Sequence, residues 1–335
     1  MSSDRVFLSI IVLCYNVGEY IDRCLRSLIE QQFEDFEVIV VDDASTDDSG
    51  SRADAFAAKD DRIRVFHKDH GNIVAARKYG LSKAAGIYIG SVDGDDWIEA
   101  DMYAKMCKAA KETDADMVQC SMFRNARTYI GIGTHPQETG LYIGEKYRKV
   151  LLAAPSEYDT HIIQNSLCSK IIKKELLSQA IDGMDDDCVL GEDAVCSVIC
   201  AGLAKSHYQI KECLYHYRLR EGSRTNSTES DMLGRLRKLS VFGKKKIAEI
   251  EPALTEQIDI RIRMFIIMTL VQEMSEGKMS DERKAYWNKM MKKPELQAAM
   301  NAGTGRDENS LFVRYVYGML KKGKVPPRFL FKVKR

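Results

Sequence analysis

GIYIGSVDGDDW, residues 86–97, is an apolar run that ends on three aspartates, Asp93, Asp95 and Asp96. Like charges this close raise one another's pKa, so a strand that stops on them needs a neutralising partner: a divalent cation, a basic neighbour or open solvent. The run before them is short, aliphatic and free of polar alternation, which suits a strand buried on both faces. Upstream the pattern recurs in FLSIIVLCYN (7–16), FEVIVVDDAS (36–45) and RIRVFH (62–67). Between these runs the period changes. YIDRCLRSLIEQ (20–31) puts Ile21, Cys24, Leu25 and Leu28 on one helical face, and residues 46–59 and IVAARKYGLSKA (73–84) also read as helices. Strands alternating with helices at this spacing predict a mostly parallel sheet wound by crossovers, an α/β fold. Ligands of such sheets bind at the carboxyl ends of the strands. Three of those ends, CYN, DDAST and DGDD, are unusually polar, and that coincidence locates a site.

Asp93 and Asp95 offer hard oxygens suited to Mg²⁺ or Mn²⁺, and an ion held by one or two carboxylates keeps positions for substrate phosphates. Asp42 and Asp43 suit hydroxyl and ring N–H donors. Tyr15 offers an aromatic face for a base, and Arg77 a fixed cation for an aspartate or a phosphate. Each has a plainer alternative: a solvated turn, a helix N-cap, a rim aromatic, a surface cation. Their occurrence at matching ends points to a pocket for a nucleotide diphosphate with a metal.

Composition bounds the rest. The 335 residues are 45% hydrophobic and 30% charged, ordinary for a globular chain with one or two domains. The near-zero net charge hides an asymmetry, with 13 basic and 20 acidic residues in 1–110 against eight basic and none acidic in 311–335. Nine scattered cysteines, with no CxxC spacing and no secretion leader, predict reduced thiols in a cytoplasmic protein. No apolar run approaches the 18 or so residues of a membrane span.

The succession LSIIVLCYN, VVDDASTDDS, GNIVAARKYGL and GIYIGSVDGDDW resembles the inverting family-2 nucleotide-sugar glycosyltransferases of the GT-A fold. The likeness covers roughly the first 120 residues. It implies that Tyr15 stacks on the base, that Asp43 contacts uracil or ribose, and that Arg77 lies near the nucleotide. It also implies that Asp93 faces the ribose and Asp95 the metal, with Asp96 structural. The chain departs from the family at His70-Gly71-Asn72, where an NGG-type loop is usual, and at Leu13-Cys14, where a proline is common; both leave the donor open. In VLGEDAVCSVIC (189–200), Glu192 and Asp193 open an apolar helix, where a carboxylate is favourable as a cap alone. The segment is also similar to the family's ED motif, which implies Asp193 as the general base, with Glu192 in support or on the acceptor. SLCSKIIKKELL (166–177) and YHYRLREGSRTNS (215–227) are similar to later family segments. They imply Lys170, Arg218 and Ser223 as groups near the diphosphate or the acceptor.

The resemblance thus implies a donor that is a UDP-sugar, a glycan or lipid-linked acceptor, and a GT-A domain over 1–228. Residues 1–120 would be its nucleotide-sugar half and 121–228 its acceptor and base half. From 229 to 335 the periodicity is helical. The tail KKGKVPPRFLFKVKR (321–335) interleaves basic charge with Phe and Leu, which suits an anionic membrane surface at the inner face or a terminus packed on the helices. Nucleic acid is not expected, since the rest of the chain is acidic and carries no RNA or DNA motif. A sugar nucleotidyltransferase would want a Gly-rich basic loop where CYNVGEY stands. A receiver module would leave the later motifs without purpose, and a non-catalytic nucleotide-sugar scaffold would have no need of Asp95 and Asp193.

Overall fold

The computed structural model describes residues 6–126, 130–133, 138–153, 162–219, 231–277, 279–302 and 311–326. Its first half alternates as the sequence predicts: β1 (Leu8–Cys14), α1 (Ile21–Ile29), β2 (Phe36–Asp42), α2 (Ser49–Ala57), β3 (Ile63–His67), α3 (Asn72–Lys83) and β4 (Tyr88–Asp93). These strands lie in the order β3-β2-β1-β4, parallel throughout. Every residue of β1 and β2 is buried, the physical meaning of runs without alternation. Successive side chains point to opposite faces. Ile10, Val12, Val38 and Val40 therefore join one core, and Ile11, Leu13, Ile39 and Val41 another.

The chain continues through β5 (Trp97–Ile98), α4 (Met102–Thr113), β6 (Met117–Asn125), β7 (Ile130–Gly133), β8 (Gly140–Ile143) and α5 (Gly144–Leu151). Then come β9 (Lys170–Lys173), α6 (Lys174–Ile181), α7 (Glu192–Leu203) and β10 (Ser206–Arg218). Strand β9 enters antiparallel between β4 and β6, so that β6 and the parallel β10 point the same way as β1 to β4. Strands β1 to β4, β6 and β10 thus deliver their last residues to one end of the sheet, and β9 runs the other way. β10 is 13 residues long, with register shifts on either side of Cys213, and its end pairs antiparallel with β5, His216 opposite Trp97. Arg218 is thereby carried to the edge where β4 stops.

Helix α1 buries the predicted face, Ile21, Cys24, Leu25 and Leu28. Helix α2 starts three residues later than the 46–59 expected, because the residues before it knit two loops together. Thr46 N–H donates to Asn16 Oδ1 at 2.8 Å, Val17 N–H to Ser49 Oγ at 2.7 Å, and Gly18 N–H to Asp47 Oδ2 at 3.0 Å. Beyond residue 231 the fold is helical as expected: α8 (Met232–Ile250), α9 (Thr255–Ser275), α10 (Asp281–Met290), α11 (Pro294–Asn301) and α12 (Leu311–Lys321). Leu236, Ile258, Ile262 and Phe265 of these helices share one core with Val195 and Ile199 of α7. That is why α7 is apolar on nearly all sides: sheet-side and appendage-side neighbours both cover it. No helix among the described residues is long and apolar enough to cross a membrane.

Candidate active site

Parallel register places the strand ends side by side, Cys14 next to Asp42 and Leu13 next to Asp93. The acidic turn folds down onto β1, where Gly94 N–H donates to Leu13 O at 3.0 Å. A Cβ at Gly94 would stand 2.9 Å from that carbonyl oxygen, so the turn can lie this close only with glycine.

The three aspartates of the turn separate by environment. Asp96 is 1% exposed and held by β10. Tyr215 OH donates to its Oδ2 at 2.6 Å, and Arg218 N–H to its Oδ1 at 2.7 Å. Burial first, then the charges of Asp95 and Asp93, push its pKa well up. The expected structural role of Asp96 matches this position. Asp93 and Asp95 are half-buried at the edge. Arg218 Nε donates to the Asp95 carbonyl oxygen at 2.7 Å, and its guanidinium lies over the rings of Tyr20 and Trp97. The structure thus brings Arg218 to the acidic turn. Ser223 lies outside the described residues.

Across the sheet, Tyr15 is 41% exposed and its ring leans on His70, the centroids 4.9 Å apart and the planes tilted by 34°. Asp43 is buried and engaged by three donors: Lys68 Nζ at 2.6 Å, Gly71 N–H at 2.9 Å and His70 Nδ1 at 2.9 Å. A carboxylate offers about four lone-pair positions, so about one remains for a further N–H or hydroxyl. Lys68 and His70 were missed in the sequence, although they follow β3 as the acidic pairs follow β2 and β4. Basic residues after a strand look like ordinary surface until their partner is known. Asn16, Ala44 and Asn72 adopt left-handed backbone at these same strand-end loops, a strain that ordered functional loops concentrate.

Arg77 joins the two acidic motifs. On α3 it is 2% exposed, with Nη1 3.4 Å from Ser91 Oγ and Nη2 3.6 Å from Glu192 Oε1. Burial alone would lower its pKa, but Glu192, Asp93 and Asp193 outweigh it and hold the guanidinium charged. Its Nε has no acceptor among the described residues. Asp193 is half-buried in the first turn of α7, and its Oδ1 accepts from Ala194 N–H at 2.7 Å. Burial and the neighbouring Glu192 push its pKa up to about 7, with Arg77 opposing and Asp93 adding to the rise. A carboxyl so tuned can take a proton near neutrality.

Lys170 lies beneath this arrangement. It is 1% exposed, and its ammonium donates to the carbonyl oxygens of Gln164 and Ser166 and approaches Ser197 Oγ at 3.5 Å. Burial pulls its pKa down to about 7. It fastens the 164–166 segment to α7 from within the protein.

Gly191, the residue before Glu192, has φ +83°, and a Cβ there would stand 2.4 Å from Cε2 of Phe265 on α9. The appendage therefore packs directly on the start of the acidic helix. Gly191→Ala is expected to cost about 2–4 kcal/mol, from left-handed backbone plus overpacking. Urea unfolding checks this; an unchanged midpoint would mean that Phe265 does not press on this turn.

The Glycosyl transferase family 2 domain matches residues 9–164. The chain is 40% identical over 126 residues to the uncharacterized glycosyltransferase EpsJ of Bacillus subtilis, covering 37% of each protein. It is 30% identical over 220 residues to the glycosyltransferase GlyA of Streptococcus pneumoniae, covering 64% of this chain and 31% of that one. These matches thus span about a third of the relatives' own lengths. Among solved structures, residues 1–349 of S. aureus TarS with UDP align at a TM-score of 0.66 and 19% identity, over 95% of this chain and 87% of that one. Sequence and fold agree: residues 9–164 carry a Glycosyl transferase family 2 domain, and the chain has the GT-A fold.

Proposed function

We propose that this protein transfers a hexosyl or N-acetylhexosaminyl group from a UDP-sugar to a hydroxyl of a glycan or lipid-linked acceptor, with inversion, in cell-envelope polysaccharide synthesis. The observation that carries the proposal is Arg77, one buried cation facing both the acidic end of β4 and the acidic start of α7. Donor and base sites then share a single electrostatic centre. Supporting it, TarS has been crystallised with UDP and with UDP-GlcNAc, and a related B. subtilis protein, GgaB, is named for minor teichoic acid biosynthesis. Residues 1–228 would form the transferase domain and 229–335 a helical buttress behind it.

Tyr15 stacks on the base and Asp43 accepts from it or from ribose. Asp95, with Asp93 on the ribose side, would hold Mn²⁺ or Mg²⁺. The donor set fits in kind: two hard carboxylates, both half-buried where β4 ends, which suit an ion that also takes phosphate oxygens. A Pyrobaculum calidifontis mannosyltransferase of similar fold has been crystallised with GDP-Man and Mn²⁺. The ion, when bound, supplies positive charge against the departing diphosphate. Arg218, at the end of β10, faces the diphosphate or the acceptor from the other side of the acidic turn. Asp193 takes the proton of the acceptor hydroxyl, whose oxygen attacks the anomeric carbon from the face opposite the diphosphate. Glu192, drawn to Arg77, orients the acceptor or the base.

A donor screen by thermal shift tests this. UDP-sugars with Mn²⁺ should raise the melting temperature, and a chelator should abolish the rise. Stabilisation only by a nucleoside triphosphate with a sugar phosphate would point instead to nucleotidyl transfer.

The tail from Lys321 to Arg335, whose residues 327–335 lie outside the described ones, carries seven positive charges with Phe329, Leu330, Phe331 and Val333. We propose that it holds the enzyme to the inner membrane face. The protein should sediment with anionic liposomes and detach at high salt, as charges are screened over about 10 Å at 0.1 M. Removing 321–335 should abolish sedimentation and spare donor binding. Equal binding to neutral vesicles would make the tail a packing element.

A further inference from the structure

Arg23, exposed in the first turn of α1, places its guanidinium 3.5 Å from the centroid of the Trp97 ring. The Arg218 guanidinium lies 4.6 Å from the same centroid. Two cations thus share one indole. Burial against the ring and the charge of Arg218 pull the Arg23 pKa down. Among the described residues neither guanidinium is ion-paired with a carboxylate, although the front of the chain is acidic.

The platform under them is a stack of rings. His216 stacks on Trp97 at 4.7 Å with 12° between the planes, Phe123 stacks on His216 at 4.5 Å, and His216 Nε2 lies 2.7 Å from Glu99. Arg218 is fixed to the acidic turn through the Asp95 carbonyl and the Asp96 carboxyl. Sequence reading singles out neither Arg23 nor Trp97, because only the pairing of β5 with β10 brings them to Arg218.

Two guanidiniums over one indole, the charge of one felt by the other and neither ion-paired with a carboxylate among the described residues, form a surface that an anion would complete. Their planar forks match phosphate oxygens in pairs. We infer that Arg23 and Arg218, seated on Trp97, clamp a phosphate group at the rim of the transfer site. The inference rests on the reading of the Asp93–Asp96 turn as the diphosphate end of the donor site. The phosphate is either that of the donor diphosphate or one carried by the acceptor.

Titration calorimetry on the full chain and on Arg23→Gln and Arg23→Lys tests the clamp, with pyrophosphate, UDP, uridine, glycerol 3-phosphate and glycerol as probes. Arg23→Gln should weaken a phosphate-bearing probe about tenfold, the scale of one charge-assisted contact. Arg23→Lys should recover part of the loss, and uridine and glycerol should respond alike in all three proteins. A loss on pyrophosphate and UDP assigns the clamp to the donor; a loss confined to glycerol 3-phosphate assigns it to the acceptor. Unchanged affinity for every phosphate probe, or an equal loss on uridine, would overturn it. The two readings fail separately. A wild-type protein that binds pyrophosphate through Arg23 yet no nucleotide sugar keeps the clamp and loses the donor site. One that binds UDP with Mn²⁺ while Arg23→Gln changes nothing does the reverse.

Discussion

Asp193→Asn is expected to lower turnover by about two to four powers of ten while UDP still binds, since the group lost acts on the acceptor. Asparagine keeps the shape and an oxygen for the Ala194 N–H but cannot accept the acceptor proton. The wild-type pH profile should carry the signature of the same carboxyl. Burial, Glu192 on its own helix and Asp93 on β4 raise its pKa to about 7, while Arg77 on α3 opposes them. The buried ammonium of Lys170 on β9 also faces it. The working form of a base is the deprotonated one. Turnover should therefore fall as pH drops below about 7 and level off above it, and the variant should lose that acid limb. Proton NMR of the first product should show the inverted anomer. Retention at the anomeric carbon, or a variant as fast as wild type, would remove Asp193 from the chemistry.

What the sequence made legible follows from how local each signal is. Strands β1, β2 and β4 were readable because burial on both faces writes itself as an unbroken apolar run, and α1 because its apolar face repeats every three or four residues. The strand-end residues followed from those boundaries together with the parallel register. Strand β9, inserted antiparallel between β4 and β6, and the bulged length of β10 depend on pairing between distant segments, which no local pattern encodes. The same limit explains Asp96 and Tyr215, 119 residues apart yet joined by one hydrogen bond. Lys170 shows a different gap. The family resemblance implied a place near the diphosphate or the acceptor; the structure shows it buried at the start of β9 against Ser197 of α7, and the spacing of KIIK does not say toward which side its first residue turns. Arg77 was legible as a fixed cation; that it faces both acidic motifs required α3 and α7 to be packed on the same face of the sheet.

Asp95→Ala is expected to reduce transfer about a thousandfold or more and to remove the Mn²⁺-dependent gain in UDP affinity. The argument is one of elimination among three neighbours. Asp96 is committed to Tyr215 and to the Arg218 backbone, and its burial leaves no face for an ion. Asp93 ends β4, its backbone N–H 3.3 Å from Tyr215 OH, so its position is set by the strand. Asp95 stands on the turn itself, half-buried, with Arg218 gripping its carbonyl and so aiming the residue. Loss of its carboxylate should leave folding nearly intact, because the turn is still held by Gly94 N–H on Leu13 and by Asp96. Asp96→Asn should do the opposite, lowering the urea midpoint through the contacts that tie β10 to the turn. Titrating UDP with and without Mn²⁺, on both variants and alongside unfolding curves, separates the two roles. An Asp95→Ala protein that retains wild-type transfer in the presence of a chelator would reduce DGDD to an acidic turn braced by β10.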